Sequence, residues 1–228
     1  MELITSQIVP SFSDVLRRQG VPEQATIKEA IRLDFYSALE IFQSSAKPQY
    51  LAEEISKEIF DEIFNASGLN EEENPLQSIY SAADQIALFV ITVGGVVTEK
   101  IKECMTKNEI VIASMMDTIA SLAVENSVGL LEDYFAEKWN SREEETVLGY
   151  SPGYCGWHLA GQTEIFRILK PEKIDVHLSD SFLMEPIKSV SGVIIKGPKE
   201  IHLFRNNFQF CSTCVDHTCV SRMKNLKK

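Results

Sequence analysis

Two stretches of this chain hold the residue types that do chemistry. The first is Cys211-Ser212-Thr213-Cys214-Val215-Asp216-His217-Thr218-Cys219, a C-x2-C-x4-C run. A C-x2-C pair presents two thiolates to one metal ion, and clustered soft ligands suit zinc or an iron–sulfur cluster. Cys211, Cys214 and Cys219 are therefore metal-ligand candidates, with His217, Cys155 or Cys104 as a fourth. The second C-x2-C of a full zinc site is missing, so reduced thiols without metal are the plain alternative. The second stretch is Leu178–Gly192, LSDSFLMEPIKSVSG. Its run Ser189-Val190-Ser191-Gly192 allows close backbone approach to a flat ligand, and a polar loop feeding such a run reads as a binding edge. The competing reading is a strand that needs Ser and Gly for packing.

A third stretch, Gly149–His158, packs three glycines, one proline and three aromatics into ten residues and reads as irregular. Aromatic rings on such a loop suit a planar macrocycle or nucleobase. Equally, they could pin the loop to the core.

These segments need a scaffold. Ser11–Asp14 looks like a helix start, and Thr26–Gln43 places Ile27, Ile31, Phe35, Leu39 and Phe42 on one helical face. Tyr50–Phe64, with Leu51, Ile55, Ile59 and Ile63 four apart, predicts another helix, and Asn65–Pro75 a surface loop. Ile86–Val93 is apolar on both faces and predicts a buried strand, turning at Gly94-Gly95 into a helix over 96–105. A long helix follows within Asn108–Asn140. It carries a stripe of small and polar residues, Ala113, Asp117, Ser121, Glu125 and Gly129, which reads as a solvated face or the wall of a cleft. Ser141–Val147 is a charged connector and Gln162–Leu169 a short helix. Strands are expected at 174–178, 190–195 and 200–204, with a turn at Gly197-Pro198. The expected fold is α+β, a twisted, mainly antiparallel sheet flanked by helices. The four histidines show no His-Glu-x-x-His or similar spacing, and most read as ordinary surface or loop residues. Arg222–Lys228 reads as a solvated basic end.

The net charge of -11 argues against nucleic acid and anionic membrane surfaces as partners. No basic region followed by a long apolar run opens the chain, and no apolar run reaches the ~18 residues of a membrane span. A cytoplasmic protein with reduced cysteines is expected.

The Leu178–Gly192 stretch resembles a loop of the activation domain of cobalamin-dependent methionine synthase, L-T-E-S-F-A-M-x-P-x-x-S-V-S-G. Leu178, Ser181, Phe182, Met184, Pro186, Ser189, Val190, Ser191 and Gly192 are identical. Ser151-Pro152-Gly153-Tyr154 resembles the family's [SA]-P-G-Y turn. The resemblance implies one activation-type domain over 1–228, with a helical part at 1–75, the sheet and motifs at 76–207 and a cysteine tail at 208–228. It implies a corrinoid-facing edge made by Pro152, Gly153, Tyr154, Ser189, Val190, Ser191 and Gly192, and places Glu125 near an S-adenosylmethionine site. The family arginine that pairs with the carboxylate of S-adenosylmethionine falls at Gly149, which cannot replace a bidentate guanidinium. No D-x-H-x-x-G cobalt-ligand segment is present. The implied protein is a free-standing component of a cobalamin-dependent methyltransferase. It would meet cobalamin held by a separate corrinoid protein, with an external electron donor. A metal- or cluster-binding scaffold using the tail is the alternative.

Overall fold

This computed structural model describes residues 2–205, 207–212 and 218–226. After a single turn, α1 (Thr5–Ile8), Ser11 opens α2 (Phe12–Arg18) with a capping box in which Ser11 and Asp14 satisfy each other's backbone amides. Next come α3 (Glu29–Ser45), β1 (Gln49–Ile55), α4 (Lys57–Asn65), α5 (Pro75–Ser81), β2 (Gln85–Thr92), α6 (Gly95–Thr106) and α7 (Ile110–Lys138). The rest of the chain gives β3 (Glu145–Tyr150), α8 (Gln162–Leu169), β4 (His177–Leu178), β5 (Met184–Glu185), β6 (Ser189–Pro198) and α9 (Thr218–Leu226).

The main sheet is four-stranded and antiparallel, in the order β1-β2-β6-β3, with helices flanking it. Asp84 N–H donates to the Lys196 carbonyl and Val93 N–H to the Lys188 carbonyl, so β2 and β6 run in opposite senses. β3 pairs antiparallel with β6 from Glu145↔Pro198 to Tyr150↔Val193. The α+β class and the antiparallel sheet are those expected from the sequence.

Several element boundaries differ from the sequence reading, each for a local reason. Residues 50–55 form a strand rather than the first turns of a helix. A spacing of four is also a multiple of the strand period of two, and the helix starts only at Ser56, whose side chain accepts from Ile59 N–H. Residues 145–150, read as connector and irregular loop, are β3. The charge that disguised it, Glu145, is buried because Arg142 and Lys196 reach its carboxylate. Pro75 opens α5 instead of closing a loop. The segment 174–178 yields only the two-residue β4, paired with β5 apart from the main sheet, because Asp175 sits in the left-handed region at φ 56. The strand expected at 200–204 is a 3-10 turn, and Gly197-Pro198 lies inside β6 instead of turning the chain.

The chain divides into two compact units. One comprises Met1–Leu51, Val90–Leu131 and Lys170–Val190, and the other Ala52–Phe89, Glu132–Leu169 and Ser191–Lys228. The first has a core of Ile8, Phe35, Phe42, Val97, Met116 and Ile119, among others, with Val190 packed against it. In the second, Phe60, Phe64, Tyr80 and Trp157 form a ring cluster with centroids 5.0–6.2 Å apart. No helix among the described residues is long and apolar enough to cross a membrane.

Candidate functional site

In the first unit, the motif loop is built by its own small hydroxyls. Ser179 Oγ accepts from Leu183 N–H at 3.0 Å, and Phe182, at φ 60, turns the chain into β5. Pro186 follows a cis peptide bond. Its ring lies 3.5 Å from where a Gly95 side chain would begin, so the loop sits on the start of α6. Ser189 Oγ donates to the Pro186 carbonyl (2.7 Å) and is hydrogen-bonded to the Thr92 hydroxyl (2.9 Å). Lys188 is 12% exposed and bonds Asp117 at 2.7 Å and Ser121 at 2.8 Å. The polar stripe on α7 therefore has an identified job at two of its positions: it seats the motif loop. What the loop leaves outward is apolar, with Leu183 and Ile187 61% and 68% exposed. Glu125, one turn beyond Ser121, is half-exposed and ion-paired with Arg18.

Lys188 was not singled out by the sequence. Because Asp117 is itself half-exposed, the ion pair is screened, and Lys188→Met should lower stability by only about 1 kcal/mol. The more telling readout is faster amide exchange at Val93, whose N–H donates to the Lys188 carbonyl. Unchanged exchange would show that the Lys188 side chain does not anchor the loop.

The second unit holds the other motif. The turn after β3 closes through Gly153 N–H to the Trp157 carbonyl (2.7 Å) and Trp157 N–H to the Tyr154 carbonyl (3.0 Å). Gly153, Cys155 and Gly156 all have left-handed backbones, so the glycines have a conformational reason. Of the three aromatics read as ligand-facing, Tyr150 and Trp157 are buried and only Tyr154, 49% exposed, faces outward. Pro152 is buried too. Ser191 is buried and its hydroxyl donates to Gln162 Oε1 at 3.2 Å. A Cβ at Gly192 would run into the Tyr150 carbonyl oxygen and stand 2.9 Å from the Phe89 ring. Ser191 and Gly192 thus have packing reasons, and the residues before them, Ser189 and Val190, belong to the other unit.

Beside this turn lies a buried polar cluster that the sequence did not show. Tyr150 Oη and His202 Nδ1 are 2.7 Å apart, with rings stacked at 6°. His202 is buried, not a surface histidine, and burial lowers its pKa to about 4. Burial also raises the Tyr150 phenol, so both partners of this hydrogen bond are neutral at pH 7. Arg222 of α9 donates to the Gly149 carbonyl at 2.9 Å, approaches Glu132 at 3.5 Å and lies over the Tyr150 ring. The basic end is thus not wholly solvated. Gly149 N–H in turn donates to Glu132 at 2.6 Å; burial raises the Glu132 carboxyl, and Arg222 opposes that rise.

Cys214 and His217 lie outside the described residues. Among the described residues, no three His, Cys, Asp or Glu side chains form a group that could hold a metal.

A scan of protein families matches residues 76–205 to the activation domain of vitamin B12 dependent methionine synthase. The chain belongs to that family. The match spans more than half of the chain and contains both motif stretches. Among solved structures, 13 chains match. One is the crystal structure of the MetH reactivation domain bound to AdoHcy, at TM-score 0.59 and 13% identity, covering 85% of this chain and 75% of that one. At that identity the likeness is one of fold. A search of curated proteins finds no match.

Proposed function

We propose that this protein docks on a separate corrinoid protein and supports methyl transfer to, or reductive reactivation of, its cobalamin. The observation that carries this is the family match across 76–205, because an activation domain is defined by its work with a cobalamin-bearing partner domain. Support comes from what the motifs leave outward. In the first unit these are Leu183 and Ile187, and in the second Tyr154, each an apolar or aromatic surface of the sort that anchors an interface. The remaining candidates, Pro152, Gly153, Ser189, Val190, Ser191 and Gly192, act in this reading by holding those edges in shape.

The test is gel filtration and pull-down of the full chain with a cobalamin-loaded corrinoid domain. Co-elution is expected. Tyr154→Ala and Ile187→Asp should each weaken the complex by roughly tenfold or more without changing the far-UV spectrum. Failure of the wild-type chain to bind any corrinoid protein of its host removes the reading.

The S-adenosyl ligand is a separate matter. The neighbouring structure was solved with AdoHcy, but Gly149 carries no guanidinium here, and Arg222 beside it is already engaged by the Gly149 carbonyl and Glu132. Loss of one charged hydrogen-bonding contact costs about 1.5–3 kcal/mol. Calorimetric titration with AdoHcy should therefore show affinity roughly 10- to 100-fold below that of a relative with arginine at the position. Equal affinity would mean that another group takes the carboxylate.

A further inference from the structure

Two segments of the second unit, 72–79 and 200–208, enclose a cleft of about 510 Å³ that neither motif accounts for. Leu203, Phe204 and Phe208, all half-buried, give it an apolar wall, with the Phe204 and Phe208 ring centres 6.5 Å apart. Glu72, Glu73 and Glu200 line it too, and all three are exposed. The ion pairs among the described residues give none of these carboxylates a cationic partner. Lys199 and Arg205, the cations nearest in sequence, are not part of the lining. The walls are fastened. Asn74 Oδ1 accepts from Gln77 N–H at 2.9 Å and Asn74 Nδ2 donates to the Glu71 carbonyl at 2.9 Å, which ties the acidic loop to α5. Glu71 N–H donates to the Gly156 carbonyl at 3.0 Å, and Asn74 Cβ stands 2.6 Å from where a Gly156 side chain would begin. The Phe210 ring, stacked on Phe208 at 5.4 Å and 6°, closes on the same glycine at 3.1 Å. Both walls therefore pack on the turn that carries the outward-facing Tyr154.

The geometry points to a docking site in this cleft for an arginine-bearing apolar segment of a partner protein. Charge complementarity selects the occupant. Three carboxylates beside an apolar wall attract a cation, repel an acidic partner and act across a lower dielectric than open water. A guanidinium is weakly hydrated and stacks flat on aromatic faces, so arginine suits Phe204 and Phe208 better than lysine. The volume falls within the roughly 300–1,000 Å³ that ligand sites offer, enough for a few side chains and too little for a folded element. The apolar wall calls for apolar neighbours around the cation, which a protein segment supplies and a bare cation does not. Tyr154 on the adjoining turn gives the same partner an aromatic anchor. This site goes beyond the corrinoid reading and needs no cobalamin.

The probe is a fluorescent, terminally blocked peptide of alternating leucine and arginine, followed by anisotropy against the full chain. Saturable binding below about 1 mM is expected, weakening as salt is raised. Glu72→Gln, Glu73→Gln and Glu200→Gln combined should weaken it roughly tenfold. The control makes the same change of charge in the first unit, at the exposed Glu23, Glu40 and Glu172, each to Gln, and should cost less than about twofold. Phe208→Ala should also weaken binding roughly tenfold. Far-UV spectra separate loss of contact from misfolding, and the triple glutamine variant decides if Phe208→Ala does not fold. Lysine in place of arginine should bind less tightly, and glutamate in its place not at all. The proposal falls if wild type does not bind the peptide, or if the control triple weakens binding as much as the cleft triple. It falls equally if argininamide alone displaces the peptide at equal concentration, which would make the cleft a site for a small cation. Corrinoid binding is read in the separate pull-down, so either idea can fail alone.

Discussion

Gly192→Ala is expected to destabilise the protein by about 3 kcal/mol, at the top of the range for overpacking a filled site. The new methyl would be driven into the Tyr150 carbonyl oxygen and against the Phe89 ring. A flexible side chain could swing away, but a carbonyl in β3 cannot. Its position is fixed by pairing with β6, where Tyr150 stands opposite Val193. Relief would require the two strands to part, and the loss spreads to the pairs below. Ser191→Ala is the control. It sits next in sequence and is equally buried, but it removes only the hydroxyl bonded to Gln162, for a cost of about 1 kcal/mol. Denaturant midpoints at constant m-value give both numbers. Gly192→Ala with wild-type stability but no corrinoid binding would show that the glycine serves a ligand and not the strand.

That contrast bears on what the sequence could reveal. The motif S-V-S-G was conspicuous as a string, but a string does not say whether small residues face a ligand or a neighbouring strand. Here Ser191 and Gly192 face inward, while the bulky Leu183 and Ile187 of the same loop face out. The buried strand and the long helix were legible because Ile86–Val93 is apolar on both faces and Ile112, Met115, Ile119, Leu122, Leu130 and Tyr134 recur at helical spacing within α7. β3 was not legible, since a strand opening on a glutamate looks like a connector until Arg142 and Lys196 are seen to hold it. The Tyr150–His202–Arg222 cluster was out of reach for another reason: its members are far apart in sequence and no local period links them.

The same cluster sets the acid sensitivity of the fold. His202 has an ordinary value of 6.5 and is lowered to about 4 in the folded protein, first by burial and then by Arg222. Between these values the unfolded chain binds a proton that the folded chain refuses, so stability rises with pH across that window. Below about pH 4 both states are protonated and the difference stops growing. At 1.36 kcal/mol per pKa unit, the full span is worth about 3 kcal/mol. Glu145 acts in a lower window. It is depressed from 4.5 to about 2 by the Arg142 backbone N–H and guanidinium, so its contribution is present above pH 4.5 and is lost as pH falls toward 2. Glu132, raised by burial, has the opposite sign and partly offsets the histidine. A variant isolates the term. His202→Gln keeps a neutral hydrogen-bonding group, with both an acceptor and donors, for the Tyr150 hydroxyl but cannot take a proton. Its stability relative to wild type, measured by urea unfolding from pH 7.5 to 3.5, should be constant above about pH 7 and then shift in the variant's favour by about 3 kcal/mol on reaching pH 4. Parallel curves for the two proteins would mean that His202 meets water in the folded state and that the stacked Tyr150 pair does not shield it.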